Sequence, residues 1–118
     1  DIDANIEEGL QIAASEIDIR RLFNNILTNI DRYGRSEDGT ARVDVVCRRQ
    51  GDGVLIEIAD HGQGVPEDSF ERMLRPFTRM LAIVLRIAKR YRGRVSLDNR
   101  KEGGLIVSVL FPSAPSKK

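Results

Sequence analysis

The chain has 118 residues, enough for one hydrophobic core but not for two. Its 19 Lys and Arg balance 18 Asp and Glu to a net charge of +1, which argues against a general attraction to nucleic acid or to a membrane surface. The single cysteine, Cys47, excludes an intrachain disulfide and fits a reducing compartment, no apolar run approaches membrane-spanning length, and no secretory signal stands at the start.

In chain order, "ANIEEGLQIAAS" reads as two short strands around Gly9. "SEIDIRRLFNNILTNIDRYG" is a helix, because Ile19, Leu22, Phe23, Ile26, Leu27, Ile30 and Tyr33 recur at helical spacing. Ser15 followed by Asp18 resembles a capping box, and Gly34 stands where a left-handed stop belongs. "ARVDVVCRRQ" and "VLIEIAD" are β-rich runs joined by Gly51-Asp52-Gly53, a hairpin signal, with Cys47 as a small core residue. "LAIVLRIAKRYRG" is a second helix, with Leu81, Val84, Leu85, Ala88 and Tyr91 on one face and Gly93 as its stop. Its Arg86, Lys89, Arg90 and Arg92 read as a solvated basic face rather than a nucleic-acid surface. "RVSLDN" and "LIVSVLFP" form another hairpin through "RKEGG", and residues 113–118 a frayed tail. The expected fold is a two-layer α/β sandwich, with a mixed, mostly antiparallel sheet covered by helices on one face.

Two places hold residues that a plain core does not require. The first helix carries Asn24, Asn25 and Asn29 in its interior, where asparagine competes with the backbone for hydrogen bonds. Asn25, Asn29 and Arg32 are spaced by four and three, so they line one strip, with Tyr33 at its border. They are either ordinary exposed polar positions or a site in which an amide oxygen meets Mg²⁺, the Arg meets phosphate and the ring covers a base. The second place is "IADHGQGVPED", where Asp60, the sole histidine His61, Gly62 and Gly64 crowd into the turn after a strand. Nothing local decides between a metal or catalytic pair, a phosphate cradle and a plain loop.

Taken together, these segments resemble a known family. "RRLFNNILTNIDRYG" is similar to the N box of sensor histidine kinases, "DHGQGV" to their Asp-x-Gly-x-Gly box, and "RPFTR" to their Pro-Phe-centred F box. The last helix and the hairpin closing in "GGLIVSVLFP" continue the likeness in order over nearly the whole chain. The resemblance is to the catalytic and ATP-binding domain of bacterial two-component kinases, the Bergerat fold of the GHKL superfamily. It implies a domain over residues 1–112 that binds MgATP and transfers the γ-phosphoryl group to a histidine. It implies that Asp60 accepts the adenine amine, that Gly62 and Gly64 turn the backbone under the base, and that Val65 packs against it. Asn29 would hold Mg²⁺, Asn25 and Arg32 would sit by the phosphates and Tyr33 by the adenine, while Phe77 and Arg79 flank a lid and Leu81 heads the last helix of the nucleotide site. His61 would be a bystander.

The likeness breaks in one region. Family members carry a lid and a second glycine box before the last helix, whereas here "RPFTRM" runs straight into "LAIVLRIAKR", so both are missing between Arg79 and Leu81. Ile30 also replaces a small alanine after the second asparagine. Because His61 lies in the glycine turn, the phosphoacceptor histidine is expected on a separate dimerisation domain, with a response regulator as indirect partner and this chain monomeric. The resemblance further implies a cytoplasmic domain of a parent protein in the bacterial inner membrane. Two other readings stand beside it. A GHKL ATPase would carry a glutamate base where Asn25 is found, and a serine-kinase relative or pure nucleotide-binding module would bind without histidine phosphotransfer.

Overall fold

A computed structural model describes residues 2–9, 14–33, 42–62 and 81–112, the side chains of residues 2, 3 and 29–33 excepted. Its elements are β1 (Ile2–Ile6), α1 (Glu16–Tyr33), β2 (Val43–Gln50), β3 (Gly53–Asp60), α2 (Ala82–Arg90), β4 (Arg94–Asn99) and β5 (Leu105–Pro112). The strands form one sheet in the order β1-β2-β3-β5-β4; β1 runs parallel to β2 and every other neighbouring pair is antiparallel. This is the mixed α/β sheet read from the sequence, with the parallel edge pair as an addition. Of the two strands expected around Gly9, the first is β1, which begins earlier than expected. The second, together with Gly34 and the tail, lies outside the described residues.

Alternation and register place the core. Val45, Ile58, Val107 and Leu97 form one row across four strands, and Cys47, Ile56, Val109 and Val95 the next. Both rows pack on one face against Leu22 and Ile26 of α1 and Val84 and Ile87 of α2. β3 takes the centre because "VLIEIA" is apolar on both of its sides: Val54, Leu55, Ile56 and Ile58 are all buried. Phe111 is fully enclosed, and burying a side chain of that size contributes about 1.5–3 kcal/mol. Cys47 is buried as expected, and burial pushes its thiol pKa up, which keeps it inert.

Two glycines serve this core by close approach. At Gly53 a Cβ would lie 2.5 Å from the Phe111 carbonyl oxygen, and at Gly93 one would lie 3.0 Å from the Phe111 ring. Gly93 was expected as the stop of α2, and the left-handed conformation that closes the helix falls one residue earlier on Arg92, with φ 61°. The Gly93 N–H donates to the Ala88 carbonyl at 2.7 Å and the Arg92 N–H to the Lys89 carbonyl at 3.3 Å, a Schellman closure shifted by one residue. Glycine at 93 is needed for packing on β5 rather than for its dihedral.

The start of α1 also departs from expectation. The Asp18 N–H donates to Ser15 Oγ at 3.1 Å, which is one half of a capping box. The reciprocal half is replaced by a contact between the helices. The Ser15 N–H donates to the Tyr91 hydroxyl at 3.2 Å, while the buried Asp18 carboxylate accepts from that hydroxyl and, at 2.9 Å, from Arg90 Nη1. The Tyr91 hydrogen bond, helped by Arg90, holds the Asp18 carboxyl below its usual range, and the bond to Asp18 raises Arg90. Among the described residues, no helix is long and apolar enough to cross a membrane.

The direction of the Asp18 shift sets its pH dependence. A carboxyl depressed in the folded state stabilises fully above the unfolded value of about 3.9 and loses that effect as pH falls through the lower folded value. Tyr91→Phe is therefore expected to lower Tm at neutral pH, with a gap to the unsubstituted chain that closes under strong acid. Thermal melts across that range check it, and a gap that persists unchanged would refute the Tyr91–Asp18 assignment.

Candidate functional site

The described part of the site is built around the end of β3. Asp60 pairs in register with Val43, which turns its carboxylate toward the helix-covered face, and it is 7% exposed. Its Oδ1 accepts the Gly62 N–H at 3.0 Å, closing an Asx turn, and the Leu105 N–H at 2.9 Å from the start of β5. Both carboxylate hydrogen bonds among the described residues fall on Oδ1. That arrangement aims Oδ2 in a fixed direction, as an acceptor for an incoming N–H group.

The turn between β4 and β5 forms the wall behind this corner. A Cβ at Gly104 would lie 2.0 Å from the Asp60 carbonyl oxygen, and Gly104 holds φ 110°, so only glycine fits there. Arg100 Nη1 donates to that same carbonyl at 3.3 Å and to His61 Nδ1 at 2.7 Å. A guanidinium can only donate, so Nδ1 is the acceptor, and Nε2 carries the proton that it gives to Asp44 Oδ2 at 3.0 Å. His61 is thus engaged on both ring nitrogens. Sequence reasoning missed Arg100, Asp44 and the Leu105 amide; the only signal was the double glycine of "RKEGG".

The second part of the site lies along α1. Among the described residues Asn25 Oδ1 is buried without a hydrogen-bond partner, an open acceptor in the middle of a helix. It borders a groove of about 420 Å³ between α1 and α2, lined by Asp18, Arg21, Asn24, Asn25, Thr28, Ile83, Arg86, Ile87 and Arg90. Arg86 and Arg90 therefore face this groove rather than open solvent alone. An unpaired neutral oxygen is a donor type that suits a hard cation or its bound water. Among the described residues there is no His/Cys/Asp/Glu cluster able to hold a metal. Leu81 packs in the core directly before α2. Asn29, Arg32 and Tyr33 continue α1 beyond Asn25 with undescribed side chains, and Gly64, Val65, Phe77 and Arg79 lie outside the described residues.

Residues 14–115 match the family described as histidine kinase-, DNA gyrase B- and HSP90-like ATPases. The chain belongs to this family. Within it, the chain is of the sensor-histidine-kinase catalytic and ATP-binding type. The sensor histidine kinase GtrS of Pseudomonas aeruginosa is 33% identical over 109 aligned positions, which cover 80% of this chain and 21% of GtrS. The chain thus spans about a fifth of that relative's length. Since 109 positions use only 80% of 118 residues, GtrS also carries residues within the aligned region that have no counterpart here. The fold is that of the histidine kinase domain of the Escherichia coli osmosensor EnvZ (TM-score 0.77, 22% identity, 99% of this chain and 78% of that one). It is equally that of full-length ShkA, solved in complex with AMPPNP (TM-score 0.76, 22% identity, 98% of this chain and 26% of ShkA).

Gly104→Ala tests the wall of the corner. The clash with the Asp60 carbonyl and the forced dihedral are expected to cost at least about 1–3 kcal/mol of unfolding free energy, measured by urea denaturation. A variant as stable as the unsubstituted chain would show that the turn does not press on Asp60.

Proposed function

We propose that this chain binds MgATP and presents its γ-phosphoryl group to a histidine on a separate dimerisation and phosphoacceptor domain, which in turn serves a response regulator. The observation that carries the reading is the Asp60 carboxylate, buried at a strand end with one oxygen held by two backbone amides. Its other oxygen would accept the exocyclic amine of adenine. Gly62 and Gly64 let the backbone pass under the base, with Val65 and Tyr33 beside it. Asn25 and Arg32 would reach phosphate oxygens, with Phe77, Arg79 and Leu81 around them, and the open Asn25 Oδ1 supports a polar ligand at that level of α1. Mg²⁺, held through Asn29, would supply neutralisation of the charge on the phosphates. Positioning is then the main contribution of the protein, since the acceptor histidine comes from another domain.

Hydrolysis is disfavoured on chemical grounds. Water needs a general base, and the residue one turn before Asn29 is Asn25, whose amide takes no proton at neutral pH. We further propose, from the resemblance to sensor kinases, a cytoplasmic location within a membrane-anchored parent, with this chain as a monomeric part of it. A binding-only reading has its own support in the direct junction of Arg79-Met80-Leu81 and in the residues that GtrS carries without counterpart here. The glycine amides of a lid would otherwise meet the phosphates.

Calorimetric titration with MgADP tests the first point: saturable binding is expected for the unsubstituted chain and its loss in Asp60→Ala. Equal binding by both would remove Asp60 from the site. Restoring a family lid between Arg79 and Leu81 is expected to raise ATP affinity roughly tenfold while ADP gains less, the worth of about one charge-assisted hydrogen bond. Equal ATP affinity with and without the lid would sink that part of the reading.

A further inference from the structure

Arg100 opens the turn between β4 and β5, and its side chain is only 17% exposed although it carries a full charge. Its Nη1 donates to the Asp60 carbonyl at 3.3 Å and to His61 Nδ1 at 2.7 Å, and its Nη2 to Glu102 at 3.4 Å. From His61 the line continues through Nε2 to Asp44 Oδ2 at 3.0 Å. Asp44 pairs with Ala59, so it belongs to the sheet face turned away from the helices. Arg100 thus grips the backbone of the nucleotide corner from behind, bridging the β4–β5 turn, the residues after β3 and β2.

We propose that Arg100 is a positioning residue for nucleotide binding, acting through the Asp60 carbonyl and through His61 without touching the nucleotide. The inference rests on the reading of Asp60 as the adenine acceptor. The Leu105 and Gly62 amides fix Oδ1, and the chain leaves the sheet after Asp60, where ladder hydrogen bonds no longer hold it. Arg100 restrains it at two consecutive residues, and the bond to His61 requires an imidazole with a lone pair on Nδ1.

That requirement separates positioning from simple packing. A second proton on His61 removes the only acceptor that Arg100 has on the ring and places two cations at hydrogen-bond distance. Among the described residues, the charged groups facing His61 are Arg100 from the β4–β5 turn and Asp44 from β2, with Asp60 preceding it and Glu102 behind Arg100. Asp44 would keep the protonated ring in place, so Arg100 is the partner that must leave, and the Asp60 carbonyl loses its clamp with it. A doubly protonated His61 is therefore expected to weaken nucleotide binding through the loss of this clamp.

The test is MgADP titration of the 118-residue chain at about pH 8 and about pH 5.5, with His61→Gln, Arg100→Ala and Asp60→Ala alongside. A glutamine amide offers an oxygen to Arg100 and an N–H to Asp44 but does not titrate. Protonation of the ADP phosphates is common to all variants, so the readout is each variant's affinity relative to the unsubstituted chain. His61→Gln is expected to bind within about twofold at the higher pH and several-fold more tightly at the lower, and Arg100→Ala to bind roughly tenfold more weakly at the higher pH. Should Arg100→Ala fail to fold, the His61→Gln pH comparison decides alone. If Asp60→Ala binds like the unsubstituted chain, Asp60 is not the adenine acceptor and the reading on which this inference rests fails. If Asp60→Ala loses binding while Arg100→Ala binds normally and His61→Gln follows the unsubstituted chain at both pH values, the positioning role is overturned and the nucleotide reading stands.

Discussion

One carboxylate oxygen organises the described end of this molecule. Asp60 Oδ1 receives backbone amides from Gly62, two residues on, and from Leu105 on a neighbouring strand. For both to reach it, β5 must lie beside β3, and the turn that starts β5 must come down onto the strand end. The sheet order meets the first condition and Gly104 the second, since any side chain there would overlap the Asp60 carbonyl. The same approach brings Arg100 within reach of that carbonyl. Sheet topology, turn composition and ligand-facing geometry are in this sense one constraint.

The helical layer is organised differently at its two ends. Where α1 begins and α2 ends, Ser15, Asp18, Arg90 and Tyr91 saturate one another. Further along, the interface opens into a groove with Arg21, Arg86 and an asparagine oxygen that no described residue satisfies. A buried polar atom without a partner is a local cost, and it is accepted where a ligand supplies the missing bond. The closed end fixes how the helices sit on the sheet, and the open end leaves chemistry available.

Legibility from sequence followed the range of the interactions. β4, β5 and their turn were readable to the residue, and β2 and β3 nearly so, because alternation and glycine turns are local signals. Helix faces were also readable, although Ile87 adds to the buried set of α2. The parallel pairing of β1 was not, since it joins segments with a helix between them. Asp60 was recognisable through its glycine turn, but its partners Leu105 and Arg100 lie more than a hairpin away and leave no pattern near it. The partners of His61 were illegible for the same reason: both come from other strands' surroundings. Gly93 misled because its role is steric contact with Phe111, which no dihedral rule encodes.

The lone parallel pair has a kinetic meaning. β2 with β3 and β4 with β5 close through short turns, whereas β1 meets β2 only after the chain has traversed α1. Closing that long loop costs chain entropy before any ladder bond rewards it, so contact order makes β1 the late arrival in folding. It is also an edge strand whose side chains from Ala4 onward are exposed, with Ile6 at 60%, so those residues add little apolar burial to retain it. Local opening should then begin at β1, with β2 standing between that edge and Asp60, and the Asp60 corner can outlast the strand that joins last.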